Sequence, residues 1–257
     1  MQDKYVGDVG DYGKYGLLNK LHKCSNGTCT IGVNWYYATR DEKRRGDGRY
    51  TQYLVKGGRQ AYAYANCFPG LYRKLKAIVD GDKRQIREIE ERQVLPKNTV
   101  FYREPLPFSA TNPDDKERKR EDWFNKSLKH LSKADIVFVD PDNGIQTETV
   151  KKTQVRAIKY VFWDEIERYH RQGKSMIVYN HRDRKPEAEY NAKIMSITRH
   201  VPSCRDMRVV RFRRVSIRDF VFLVQPRHRR IFDTAIKEIT QGPCSFLFTR
   251  YPLNVSK

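Results

Sequence analysis

The sequence predicts a three-layer α/β domain with a mostly parallel central sheet and a C-terminal antiparallel hairpin. Short apolar runs at 28–37, 136–139 and 175–179 are rich in β-branched and aromatic residues and read as strands buried on both faces. Segments of helical periodicity alternate with them, which is the pattern of a parallel sheet covered by helices. Two late runs, 207–214 and 220–224, read as a hairpin that closes the sheet. No repeat, low-complexity tract or linker divides the 257 residues, so residues 1–257 are expected to form a single domain.

Taken in order, residues 7–16 hold four glycines, two aspartates and a lysine. Such glycine density lets a backbone approach a ligand or take positive φ. Leu17, Leu18 and Leu21 then fall on one face of a helix over 13–23. Residues 40–66 are expected to form a basic, mobile insertion. Helices are expected at 70–79 and 83–93, a short strand at 99–103, and a charged amphipathic helix over 114–131 that turns Trp123, Phe124, Leu128 and Leu131 inward. After the 136–139 strand come a short strand at 160–163 and helices at 164–172, 187–200 and 227–240. A last strand lies at 245–248.

Charge is the strongest bulk signal. Lys plus Arg total 51 against 31 Asp plus Glu, a formal net charge of +20. That excess attracts polyanions through counterion release. It is interleaved with aromatics: Arg44, Arg45, Arg49, Tyr50, Tyr53, Tyr62 and Tyr64 follow one another closely. Nucleic acid is therefore the expected partner, with Lys14, Arg40, Arg44, Arg45, Arg49, Arg182 and Arg184 as candidate DNA contacts. No apolar run approaches the roughly 20 residues of a membrane span, so a cytoplasmic location and no membrane partner are expected. The five cysteines are scattered without a CxxC pair, which argues against a disulfide framework and a zinc site. No metal, cofactor or obligate protein partner is indicated.

Candidate chemistry gathers where strands end. In open α/β sheets, ligands bind beyond the carboxyl ends of the strands. The 136–139 strand runs into Asp140-Pro141-Asp142-Asn143-Gly144, and a simple reversal needs one or two such residues rather than this many. Asp8, Asp11, Asp140 and Asp142 are the candidate catalytic carboxylates. Asn34, a candidate for both catalysis and base recognition, could hydrogen-bond a base edge, and Trp35, Tyr36 and Tyr37 after it could stack on the base. Asn143 and His181 are further base-recognition candidates, and His181 could also act as an acid.

The order of these clusters, with Gly7, Asp8, Asp11 and Lys14 first and Asp140-Pro141 later, is similar to that of ribosomal RNA adenine methyltransferases of the GNxADxxKH type, which have a Rossmann-like fold. The departures fall on the methyl-donor site. Asn34-Trp35-Tyr36-Tyr37 stands where the donor-binding glycines belong, and Asp142-Asn143-Gly144 replaces the rest of a DPPY element. The YVGDVGDYGKYGLL opening and VDPDNG more closely resemble bacterial anti-phage DNA glycosylases that excise glucosylated hydroxymethylcytosine. That resemblance implies a monofunctional glycosylase acting on double-stranded phage DNA with modified bases. It implies cleavage without metal or cofactor, leaving an abasic site. An S-adenosylmethionine-dependent methyltransferase and a metal-dependent nuclease are the alternatives.

Overall fold

The structure, a computed structural model, describes residues 1–39, 48–55, 59–107 and 112–252. Its centre is a sheet of order β2-β1-β3-β6-β8-β7-β9. The strands are β1 (Ile31–Asn34), β2 (Val100–Tyr102), β3 (Ile136–Val139), β6 (Ser175–His181), β7 (Met207–Arg214), β8 (Ser216–Leu223) and β9 (Phe248–Arg250). Strands β2, β1, β3 and β6 run parallel. Strand β8 turns antiparallel against β6, and β7 and β9 continue in that mode. A two-stranded parallel ribbon, β4 (Gly144–Ile145) with β5 (Tyr160–Val161), flanks it.

Side-chain alternation makes the three layers. Ile136 and Phe138 of β3 join one core, while Val137 and Val139 join the other. The first core receives α1 (Val9–Cys24), α2 (Arg59–Cys67), α3 (Pro69–Asp80), α4 (Ile86–Glu91) and α9 (Arg229–Gln241). The second receives α5 (Pro113–His130), α6 (Trp163–Arg171), α7 (Glu187–Met195) and α8 (Ile197–His200). Each face of the sheet therefore hides an apolar stripe of helix, the arrangement that parallel strands require.

Several expectations need correction. Helix α1 begins at Val9 rather than Gly13, because Asp8 caps it by accepting a hydrogen bond from the Gly10 amide at 2.9 Å. Its glycines serve packing more than ligand approach. A Cβ on Gly13 would sit 2.8 Å from the Phe212 ring, and one on Gly16 2.1 Å from Phe68. The described part of the 40–66 insertion holds the 3₁₀ turn Gln52–Leu54 and part of α2, with Tyr53, Leu54 and Tyr64 buried. The helix expected over 187–200 is divided at Ser196 between α7 and α8. Against the expectation of no disulfide framework, Cys67 and Cys244 are joined by a disulfide with Cα atoms 5.0 Å apart. The two lie 177 residues apart, so spacing could not reveal that α2 and the segment before β9 meet. Among the described residues no helix is long and apolar enough to cross a membrane.

Candidate active site

A cleft of about 760 Å³ opens at the carboxyl end of the parallel strands. Its walls come from three directions. Helix α1 brings Asp8 and Asp11, the turn after β3 brings Asp142 and Asn143, and β6 with β8 brings Tyr179, His181 and Arg218. Strand register fixes the last group, because His181 of β6 pairs with Arg218 of β8.

The acidic wall is organised on Lys14. Its ammonium lies 2.9 Å from Asp140 Oδ1 and donates to Asp11 Oδ1 at 3.2 Å. The same nitrogen stands 4.3 Å from the centre of the Tyr179 ring. Burial works against the charge on Lys14, but Asp140 and Asp11 outweigh it and hold the lysine protonated. Tyr15 Oη donates to the other Asp11 oxygen at 3.0 Å. Burial pushes the Asp11 carboxyl up to about 6; Lys14 pulls against that rise, while Asp140 and Asp8 add to it.

Asp142 is held in the opposite sense. Burial raises its pKa, yet the Met1 ammonium 2.9 Å from Oδ1 and the Gln2 amide donating to Oδ2 at 2.6 Å bring it below the usual carboxylate range. The turn that carries it is locked in place. Gly144 has φ +109°, and a Cβ there would lie 2.3 Å from Asn180 Oδ1. That same oxygen accepts from the Ile145 amide at 3.0 Å, so glycine is required where the turn meets β6.

On the opposite chain of contacts, Arg218 Nε donates to Tyr179 Oη at 2.8 Å, and that hydroxyl is 2.9 Å from His181 Nε2. Arg218 Nη2 reaches within 3.7 Å of Asp8. Burial, then Arg218 and Lys14, push the His181 imidazole down to about 3, so the ring is neutral near pH 7. His181 therefore faces the cleft as a neutral hydrogen-bonding group near pH 7.

No family model and no curated protein matches this chain. The assignment of the site therefore rests on its own geometry.

Of the expected residues, Asp8, Asp11, Lys14, Asp142, Asn143, His181, Arg182 and Arg184 all border the cleft. Asp140 sits behind them, 1% exposed, as the partner of Lys14. Lys14 is not a phosphate contact, since it is 5% exposed and its ammonium is taken up by carboxylates. Asn34, Trp35 and Tyr36 do not read a base. Asn34 is fully buried, accepting from the Tyr36 amide and donating to Tyr169 Oη. Trp35 donates to Glu90 and Tyr36 Oη donates to Glu165, both rings enclosed. Arg49 is exposed, and Arg40, Arg44 and Arg45 lie outside the described residues.

Sequence reasoning missed Tyr179, Arg218 and Tyr50, which also border the cleft. The hairpin strand starts at Ser216, before the apolar run at 220–224, and its Arg218-Asp219 pair is charged yet buried. Tyr50 is 49% exposed, and its backbone is tied to α1 by bonds to Asp8 and Val9.

Proposed function

We propose that this chain is a DNA glycosylase that turns a hypermodified, glucosylated cytosine out of phage DNA into the cleft and hydrolyses its N-glycosidic bond. The observation that carries the reading is the pair of carboxylates, Asp11 and Asp142, held on opposite sides of their ordinary range at one cleft. Two carboxyl groups pushed apart by their surroundings are the usual basis for dividing acid–base work from charge stabilisation.

In this scheme Asp142 stays anionic and offsets the positive charge that grows at C1′ as the base departs. Asp11 takes a proton from the attacking water, whose oxygen forms the new bond to C1′. The departing base leaves with the electrons of the C1′–N bond, and neutral His181 or Asn143 hydrogen-bonds it. The rim arginines Arg182 and Arg184, with the +20 net charge, favour a polyanion. Methyl transfer is less well supported, because the strand end after β1, where a donor would bind, is filled by the buried Asn34, Trp35 and Tyr36.

Mass spectrometry of products from unmodified and hypermodified DNA tests the reading. Free modified base and alkali-labile abasic sites are expected from the modified duplex, without added S-adenosylmethionine or Mg²⁺. A methylated product, or strand breaks that require Mg²⁺, would replace the glycosylase with one of the alternatives. DNA affinity should also fall steeply with added salt.

A further inference from the structure

The β7–β8 hairpin also reaches the cleft, and its tip is unusual. Arg214 pairs with Ser216, so Val215 alone carries the chain reversal. Its φ is +63°, where the Cβ of an L-residue is crowded and a β-branched side chain is a genuine outlier. Glycine or asparagine would make this turn with less strain. The Val215 side chain gains no compensating burial, for it is 56% exposed while bordering the cleft.

The reversal is clamped from within. Arg218 Nη1 donates to the carbonyl oxygens on both sides of the tip, Arg214 at 2.9 Å and Ser216 at 3.1 Å. Its Nε holds Tyr179 in the cleft wall. One buried guanidinium thus fixes an apolar tip relative to the site. Strain of this kind persists only where the surroundings over-determine it, and it gathers at functional positions. Exposed Arg213 and half-buried Arg214 give the hairpin a positive shaft suited to phosphates.

We propose that Val215 is a wedge that enters the base stack of duplex DNA and fills the gap left by the nucleotide turned into the cleft. An apolar side chain suits that role, because a polar tip would lose its hydrogen bonds between stacked bases. The destination of the nucleotide rests on the glycosylase reading, but unstacking can be measured apart from base release.

The test uses the full chain with a duplex in which 2-aminopurine neighbours a glucosylated hydroxymethylcytosine, so that fluorescence rises when stacking is lost. At saturating wild-type protein a rise is expected. Val215→Gly should reduce that rise about tenfold, as loss of the inserted group predicts. Val215→Leu should keep it. Val215→Gly should also melt no lower than wild type, because glycine accepts the left-handed φ. A merely structural valine would not combine unchanged melting with lost unstacking. An undiminished rise with Val215→Gly, or no rise with saturating wild type, overturns the wedge. Base release is scored in parallel on duplex and single-stranded DNA. Unstacking by wild type without release from either substrate keeps the wedge and removes the glycosylase. Release without unstacking does the reverse.

Discussion

The sheet carries a buried ion cluster on each face, and the two differ in their charge balance. On the α5–α6 side, Arg120 makes a two-pronged contact with Glu165, Nε to Oε1 at 2.7 Å and Nη2 to Oε2 at 3.0 Å. Its remaining donors reach the Ala157 and Tyr160 carbonyl oxygens, and Glu165 also accepts from the Phe162 amide and Tyr36 Oη. One cation meets one anion, and four of the five guanidinium N–H groups have acceptors. On the α1 side, Asp11 and Asp140 share the single ammonium of Lys14, and the cluster opens onto the cleft. Burial chiefly raises the Asp11 carboxyl to about 6, and the negative charge of Asp140 and Asp8 adds to the rise, so this carboxylate takes up a proton more readily than an ordinary one. Burial of charge is common to both; the imbalance of charge and the opening onto the cleft set the α1 cluster apart.

The largest effect should come from Asp11→Asn. Losing a general base typically costs about 10²–10⁴ in rate. Stability should stay level or rise, because burial disfavours the Asp11 charge and Asp140 and Asp8 repel it, which together outweigh the attraction to Lys14 that is also lost. Abasic-site formation measured beside thermal melts checks this. A loss of melting temperature in step with activity would make the α1 cluster as structural as its counterpart.

Arg120→Met should behave in the opposite manner. It leaves Glu165 buried without its cation, at a cost of about 3–5 kcal/mol in urea denaturation. Activity per folded molecule should be retained, since Arg120 does not border the cleft. A selective loss of rate in a stable Arg120→Met protein would contradict the division of roles.

The pH dependence separates the clusters further. The folded pKa of Asp11 lies near 6, above its ordinary 3.8. The protonated form is thus favoured by folding, and the stability it contributes is full below about pH 4 and lost as pH rises through 6. His181 runs against this in part of the range. Its folded value near 3 lies below the ordinary 6.5, so the protein loses stability as pH falls from 6.5 towards 3. Comparing wild type with Asp11→Asn cancels the histidine. Stability of the variant relative to wild type should grow by about 2 kcal/mol between pH 4 and 7. A flat difference would remove the raised carboxyl. The rate of base release should rise through pH 6 if Asp11 is the base, and a falling limb there would make it the acid instead.

The smallest effect belongs to pairs in water. Lys76 and Asp80 meet at 2.8 Å on α3 with 30% and 58% of their side chains exposed. Asp80→Asn should change stability by less than about 1 kcal/mol and be sensitive to salt. A larger cost would mean that burial is not what separates the clusters from the surface.

Hydrophobic period is a local property, and the elements built on it were legible in the chain alone. Ile136–Val139 had to be buried on both faces because it offers no polar face, and helix–strand alternation then dictated a parallel sheet with helices on either side. The acidic α1 opening and the turn after β3 were legible as site material because they concentrate carboxylates at element ends. Side-chain direction beyond a strand end is not a local property. Asn34 and Asp142 look alike as polar groups after apolar runs, yet the packing of Tyr36 and Tyr169 encloses the first and the amino-terminal segment presents the second to the cleft. The same limit hid the Cys67–Cys244 bridge, the contact of Arg218 with Tyr179 on the neighbouring strand, and the left-handed φ of Val215. Each depends on contacts between residues far apart in sequence or on a reversal whose geometry its neighbours impose, and no pattern of spacing encodes those.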